Sequence, residues 1–315
     1  MQQQSRHHRL FIAFACFFAP LAAWGETAKW DPSYQEGISA YKLGEYADAE
    51  KSLLEAKAQA EKCGATDAEM ALILDSLGDV YGDQNKFTEA EPLYQRVISI
   101  KEKALGPDNP DLAIYLGKLA LVDFGDRKDA EAESLLKRAL LMKEKALGPD
   151  DPDLASCITC LALVYNSQHK YDEAEAMSKR ALAIKEKALG PDNPDLATCV
   201  NSLAVIYYVQ HKYDLAEPLF KRTIAFDEKA AEPDHTAMVN HLVDLAKLYQ
   251  DEGRYKEAIP LIERALSVRE KDLSPDHPGL ITYIDNLAAL YKADGRNTEA
   301  AELEKRSKAI NAGTK

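Results

Sequence analysis

The sequence predicts an all-α fold, a solenoid of about seven antiparallel helix pairs. A thirteen-residue segment, KEKALGPDNPDLA, occupies residues 101–113 and returns unchanged at 185–197, and KEKALGPDDPDLA stands between them at 143–155, always 42 residues apart. Between these segments the apolar residues recur three and four positions apart, which is the spacing of an amphipathic helix. A fixed period of this length indicates repeated units that bury their apolar faces against their neighbours.

The chain begins with a segment that has the layout of a secretory signal peptide. Two arginines precede an apolar run, Leu10–Trp24, and small residues, Ala23 and Gly25, stand three and one positions before a cut after Gly25. We therefore expect residues 1–25 to be removed and the protein to be exported, either to a periplasm or out of the cell. The alternative is an uncleaved anchor, but the run is shorter than the roughly 20 residues of a membrane span.

The charge balance bears on the class of partner. The chain carries a formal net charge of −13, and loss of residues 1–25, which contain two arginines and no acid, makes it −15. A strongly acidic protein is repelled by nucleic acid and by anionic membrane surfaces. We therefore expect a protein or peptide partner, with no nucleic acid and no membrane insertion of the mature chain.

One unit illustrates why the repeated segment is a joint between helices. Gly190 ends the preceding helix, because glycine readily adopts the left-handed conformation after a C-cap. Asn193 then caps the next helix and Pro194 suits its first position. Apolar residues recur through this first helix to Tyr207, a polar turn follows, and a second helix extends to Lys229. The unit is therefore a pair of antiparallel helices joined by a short turn.

The units resemble the tetratricopeptide repeat, and their length and GPDNPDLA joint resemble its kinesin-light-chain-like type. The resemblance rests on a small residue in the first helix, an aromatic residue three positions later and an alanine nine positions beyond that: Gly78, Tyr81, Ala90; Ala162, Tyr165, Ala174; Ala204, Tyr207, Ala216; Ala246, Tyr249, Ala258; and Ala288, Tyr291, Ala300. It implies a right-handed superhelix. We assign residues 26–63 to an N-terminal capping pair, 64–277 to five units, and 278–315 to the last unit and a polar tail.

Three units depart from this pattern. The first is one residue out of phase, which suits a capping pair. In the third unit Asp123 takes the place of the packing tyrosine, so either Phe124 fills that position or the carboxylate finds a partner, because an unpaired buried carboxylate is costly. The joint that precedes the sixth helix pair, AEPDHTAMV, lacks the glycine and the second proline and is expected to be looser.

The cysteines leave two interpretations open. Cys157 and Cys160 form a C-x-x-C pair, but they lie inside a predicted helix and Cys199 repeats the position of Cys157 one unit later. Small buried residues explain them, whereas export would permit a disulfide. Cys160 and Cys199, on neighbouring first helices, are the pair we would test for a disulfide bond.

No motif predicts chemistry at a catalytic, cofactor or metal site. The histidines at 169 and 211 are repeat copies in turns, without ligand spacing. No nucleophile stands in a strand–turn–helix elbow and no glycine-rich loop could hold a phosphate. We expect a protein that is not an enzyme and takes no cofactor.

The resemblance implies that ligand peptides lie in a concave groove along the first helices. Carried over by phase, the groove positions include an acidic end at Asp75, Asp79 and Asp83, and a series toward the C-terminus consisting of Asn166, Asn201, Tyr208, Asn240, Lys247, Asn286 and Lys292. Asparagine side chains can hold a peptide backbone by paired hydrogen bonds whatever the peptide sequence.

Two functions follow. The preferred one is an exported scaffold for protein–protein interaction that binds an extended peptide or protein segment in the groove, with end-to-end charge fixing the orientation of the ligand. The alternative is a structural or assembly protein that acts through its convex faces or its ends. A role as a thiol protein would depend on Cys157 and Cys160.

Overall fold

A computed structural model describes residues 30–230 and 235–313, and every regular element in these ranges is helical. The chain divides into two compact units, Met1–Ile184 and Lys185–Lys315. The predicted signal peptide and the centre of the joint that precedes the sixth helix pair lie outside the described residues. No helix in the described part of the chain is long and apolar enough to cross a membrane.

The first unit consists of successive helix pairs. Its helices are α1 (Asp31–Lys42), α2 (Tyr46–Cys63), α3 (Asp67–Asp83), α4 (Phe87–Leu105), α5 (Leu112–Gly125), α6 (Asp129–Leu147), α7 (Ala155–Ser167) and α8 (Tyr171–Leu189), the end of which falls in the second unit.

The second unit continues the same alternation. Its helices are α9 (Ala197–Val209), α10 (Tyr213–Lys229), α11 (His235–Asp251), α12 (Tyr255–Asp272), α13 (Ile281–Ala293) and α14 (Asn297–Gly313). The described residues thus contain the seven helix pairs that the sequence predicts.

Small residues allow the two helices of a pair to approach closely. A Cβ atom on Gly78 of α3 would stand 2.8 Å from Cζ of Tyr94, a fully buried ring on α4. The alanines of the repeat pattern have the same role on the second helices, since Ala90, Ala132 and Ala174 are completely buried. These positions tolerate little added volume, because protein interiors are close-packed.

The joints have the predicted caps, but a short 3₁₀ turn precedes the α-helix. Pro152–Leu154 and Pro194–Leu196 form such turns, and Asp151 and Asn193 each accept a hydrogen bond from the backbone N–H two residues later, at 2.9 and 2.8 Å. Gly190 has φ +84°, the left-handed region that the sequence pattern requires there.

On four of the described second helices an arginine binds both a glutamate and a proline carbonyl of the preceding joint, which explains why these two residues recur. In the second unit Arg222 donates to Glu186 at 2.7 Å and to the carbonyl of Pro191 at 2.6 Å. In the first unit Arg138 makes the same two contacts, to Glu102 and Pro107. The repeated segment therefore supplies an acidic partner, an accepting carbonyl and a cap.

Two of the departures have structural consequences in the described residues. Phe124 and Asp123 are both buried, and no donor in the described part of the chain reaches Asp123 Oδ1. Beside the joint that precedes the sixth helix pair, His241 and Asp227 form a buried pair with Nδ1 and Oδ2 2.7 Å apart. The central residues of that joint, 231–234, lie outside the description, so its looseness stays a prediction.

Candidate peptide-binding face

The predicted groove positions lie on the first helices of the pairs. In the first unit α1 contacts α3 and α5 contacts α7, and in the second unit α9 contacts α11. The side chains on these helices therefore form candidate faces within each unit, which we call the first-helix faces.

The predicted acidic end is largely occupied by the protein itself. Lys118 of α5, only 3% exposed, donates to Asp75 Oδ1 and to Asp79 Oδ2, both at 2.8 Å. The Tyr94 hydroxyl donates to Asp79 Oδ1 at 2.6 Å. Burial and the charge of Asp79 raise the pKa of Asp75, while the Lys118 ammonium opposes that rise. Two of the three predicted aspartates are thus members of an internal ion cluster.

The third aspartate also has an internal partner. Asp83 accepts a hydrogen bond of 2.7 Å from the hydroxyl of Tyr41, and burial raises the pKa of its carboxyl group. Sequence reasoning missed Lys118, although a signal exists: it is the one basic residue in the largely apolar segment LAIYLGKLALVDFG. A lysine in such a segment requires a nearby anion when the helix is buried.

The predicted lysines at the other end are exposed and have acidic neighbours. Lys247 lies 3.5 Å from Asp244 Oδ1 on the same helix, and Lys292 pairs with Glu304. Such exposed pairs contribute little to stability, but they offset the positive charge of the lysines. Asn286 on α13 is also exposed.

The predicted asparagines supply the unfilled hydrogen-bonding groups of these faces. Asn201 Oδ1 on α9 and Asn240 Nδ2 on α11 are buried atoms without a hydrogen-bond partner in the described residues, and so is Asn166 Oδ1 in the first unit. Each such atom costs about 1 to 3 kcal/mol when it is left unpaired. These amides are therefore groups that a ligand could satisfy.

Tyr208 on α9 is held in a fixed position by its neighbours. Its hydroxyl donates to Asp251 Oδ2 at 2.6 Å, and its ring contacts those of Tyr213 and Phe220. Burial and Asp251 raise the pKa of Tyr208, so the phenol stays neutral. Its half-buried ring presents an aromatic surface on the same unit as Asn201 and Asn240.

The cysteine chemistry considered above has little support at Cys157. Its thiol is buried, donates to the carbonyl of Leu136 at 3.6 Å, and has a pKa raised by burial to about 12. A thiol in this state is a poor nucleophile. Cys160 and Cys199 are buried in α7 and α9, and the disulfide bond between them stays a prediction.

Within residues 30–230 and 235–313, no three potential ligand side chains come together as a metal site.

The tetratricopeptide repeat profile matches residues 33–103, 69–145, 154–229 and 236–311, which is most of the chain. The chain belongs to the tetratricopeptide repeat family. It is 26% identical to the kinesin light chain nearly identical TPR-like repeats of Podosopora anserina, with a TM-score of 0.59 over 66% of this chain and 98% of that one. These findings confirm the predicted family, its kinesin-light-chain-like type and the predicted solenoid of helix pairs.

More distant structures share the TPR fold alone. A Rap protein complexed with competence and sporulation factor is 19% identical, with a TM-score of 0.59 over 90% of this chain and 75% of that one. Aspartyl phosphate phosphatase F from Bacillus subtilis is 17% identical, with a TM-score of 0.60 over 90% and 70%. The search of curated proteins found no match to this chain.

Proposed function

We propose that this TPR protein is an exported, non-catalytic scaffold that binds an extended peptide or protein segment along its first helices. The observation that carries the proposal is the pair of unfilled amides at Asn201 and Asn240, on two first helices that contact one another. Family membership supports the broader role, since TPR proteins bind protein or peptide partners.

Recognition would depend on neutral hydrogen bonds rather than on a gradient of charge. The aspartates at one end and the lysines at the other already face opposite charges. Asn201 and Asn240, by contrast, can each offer an amide N–H₂ donor and a carbonyl acceptor to a peptide group. Tyr208 would add a rigid aromatic contact at low cost in conformational entropy.

The comparisons support a ligand of this kind without identifying it. A Rap protein of the same fold has been solved with competence and sporulation factor bound. The fold can therefore hold such a ligand, and the chemistry that selects one must come from the side chains of each chain.

The test compares binding with stability in the same variants. Peptides selected from a display library on the protein would be titrated against Asn201→Ala with Asn240→Ala, and against Asn297→Ala, an exposed asparagine on a second helix, as the matched control. We expect the double variant to bind at least about tenfold more weakly while its melting temperature stays equal or rises, because it loses unpaired polar groups. Equal losses of binding and stability would make these residues structural and refute the proposal.

An assembly role is the second candidate, because second helices carry exposed leucines. Leu141 on α6 is 52% exposed and Leu215 on α10 is 49% exposed. Sedimentation over a hundredfold range of concentration separates the two functions. Self-association that Leu141→Ser abolishes would favour assembly, and a constant monomer would favour the scaffold.

Export is part of the proposal and rests on residues 1–25. Mass spectrometry of the mature protein tests it directly, with Glu26 expected as the first residue. A chain that keeps its apolar segment would be an anchored protein instead.

A further inference from the structure

The third helix pair carries a carboxylate where other pairs carry a ring. Tyr81 and Tyr165 occupy this position in the second and fourth pairs, and a lysine lies over each ring, Lys86 and Lys170, both 5.5 Å from the ring centroid. In the third pair the same position holds Asp123, which is only 5% exposed. A polar group has therefore replaced the apolar ring at a buried position.

The lysine of this pair binds the same glutamate as in the other pairs and one further carboxylate. Lys128 Nζ lies 2.6 Å from Glu91, as Lys86 and Lys170 lie beside Glu50 and Glu133, and it lies 2.8 Å from Asp126. Asp123 Oδ1 is left buried, with no hydrogen-bond donor in the described part of the chain. A buried carboxylate oxygen without a hydrogen-bond donor destabilises the fold more than a neutral oxygen in the same position.

The groups around this oxygen are mostly acidic. Glu91 faces Asp123 from α4, Glu131 from α6, and Asp126 and Lys128 from the turn between α5 and α6. We call these five residues the Asp123 cluster. Asp126 and Glu131 are exposed, whereas Glu91 and Lys128 are half-buried, so a partner can reach the rim of the cluster from solvent. Burial and Glu91 raise the pKa of Asp123 to about 7, while Lys128 lowers it.

We propose that the Asp123 cluster is a binding site for the guanidinium group of an arginine side chain on a partner protein. Four carboxyl groups face one ammonium here, so the cluster lacks positive charge. A guanidinium has a planar fork of donors that can bond two carboxylates at once, whereas an ammonium acts as a point charge. A metal ion is the poorer candidate, because no group of ligands in the described residues could hold one.

The site does not depend on the proposed peptide contacts of Asn201 and Asn240. It lies at the C-terminal end of α5 and the turn that follows, in the first unit, whereas Asn201 and Asn240 belong to the second. The two proposals can therefore fail separately, and a partner that uses both would contribute an extended segment and one arginine.

The test titrates the protein with N-acetyl-L-arginine amide and follows amide chemical shifts by NMR. The citrulline analogue, which has the same shape without the charge, is the control ligand. We expect saturable shifts at residues 123–131 with the arginine compound and none with citrulline. Asp123→Asn should weaken binding at least about tenfold, whereas Asp172→Asn, which changes an exposed carboxylate near the start of α8, should not change it.

Proton release gives a second readout. Because the pKa of Asp123 is about 7, arginine binding at pH 7 should release about half a proton, which calorimetry in buffers of different ionisation enthalpy measures. Asp123→Tyr restores the ring of the other pairs and should abolish both binding and proton release, even if the asparagine variant fails to fold. Equal shifts with citrulline, equal affinity in Asp123→Asn, or no saturable binding would each overturn the proposal.

Discussion

Replacement of Lys118 by methionine tests whether the ion cluster on the first-helix face stabilises the first unit. Lys118 is 3% exposed and its ammonium lies 2.8 Å from a carboxylate oxygen of both Asp75 and Asp79. Methionine fills similar volume but leaves the buried carboxylate of Asp79 and the half-buried carboxylate of Asp75 without their cation. Breaking such a buried pair costs about 3 to 5 kcal/mol.

Urea unfolding monitored by circular dichroism measures this loss, with hydrogen exchange locating it in the first unit. Because burial raises the pKa of Asp75 to about 6 even beside Lys118, the variant should regain stability as the pH falls from 6 toward 3.8, where the carboxyl groups are protonated. The triple variant with Asp75→Asn and Asp79→Asn should recover most of the loss at pH 7, since no charge remains buried. Lys247→Met is the matched control, an exposed pair worth less than about 1 kcal/mol. Equal losses in Lys118→Met and Lys247→Met would refute the reasoning.

Three further predictions concern individual buried groups. Burial raises the pKa of Asp123 from 3.8 to about 7. The contribution of this carboxyl group to the stability of the fold is therefore full below pH 3.8 and is lost as the pH rises through 7. Asp123→Asn should be more stable than the parent at pH 8 by about 2 to 4 kcal/mol, with no gain at pH 3.5. Gly78→Ala places a Cβ 2.8 Å from the Tyr94 ring and should cost about 1 to 3 kcal/mol in urea unfolding, whereas Gly313→Ala, with nothing within 4 Å, should be neutral. Iodoacetamide at pH 8 should label the exposed Cys63 in the native protein and spare Cys157 until the protein unfolds, as peptide mass spectrometry would show.

The fold could be predicted from the sequence because its determinants are local and repeated. Gly190 and Asn193 specify a helix end and a helix start at one joint. The 42-residue sequence repeat predicts the same helix end and helix start at the other joints. The 3₁₀ turn at Pro194–Leu196 was not predicted. A 3₁₀ turn at the start of a helix differs from an α-helical turn in its hydrogen bonds, and the spacing of apolar residues does not distinguish the two.

The candidate site could be predicted only in part. The position within the 42-residue unit placed Asp75 and Asn201 on first helices. It does not reveal which polar groups form hydrogen bonds or ion pairs with one another. Lys118 reaches Asp75 from 43 residues away, and that contact depends on how neighbouring pairs pack. The unfilled amide of Asn201 is likewise a property of its packed surroundings, because an exposed asparagine would bind water.

The most direct test of the central claim follows the side-chain amide N–H₂ signals of Asn201 and Asn240 by ¹⁵N NMR while a selected peptide is added. If these amides bind the peptide backbone, both signals shift as the peptide is added, and the Asn297 signal does not change. If the peptide binds while the signals of Asn201 and Asn240 stay unchanged, recognition occurs elsewhere and the first-helix face of the second unit is not the binding site.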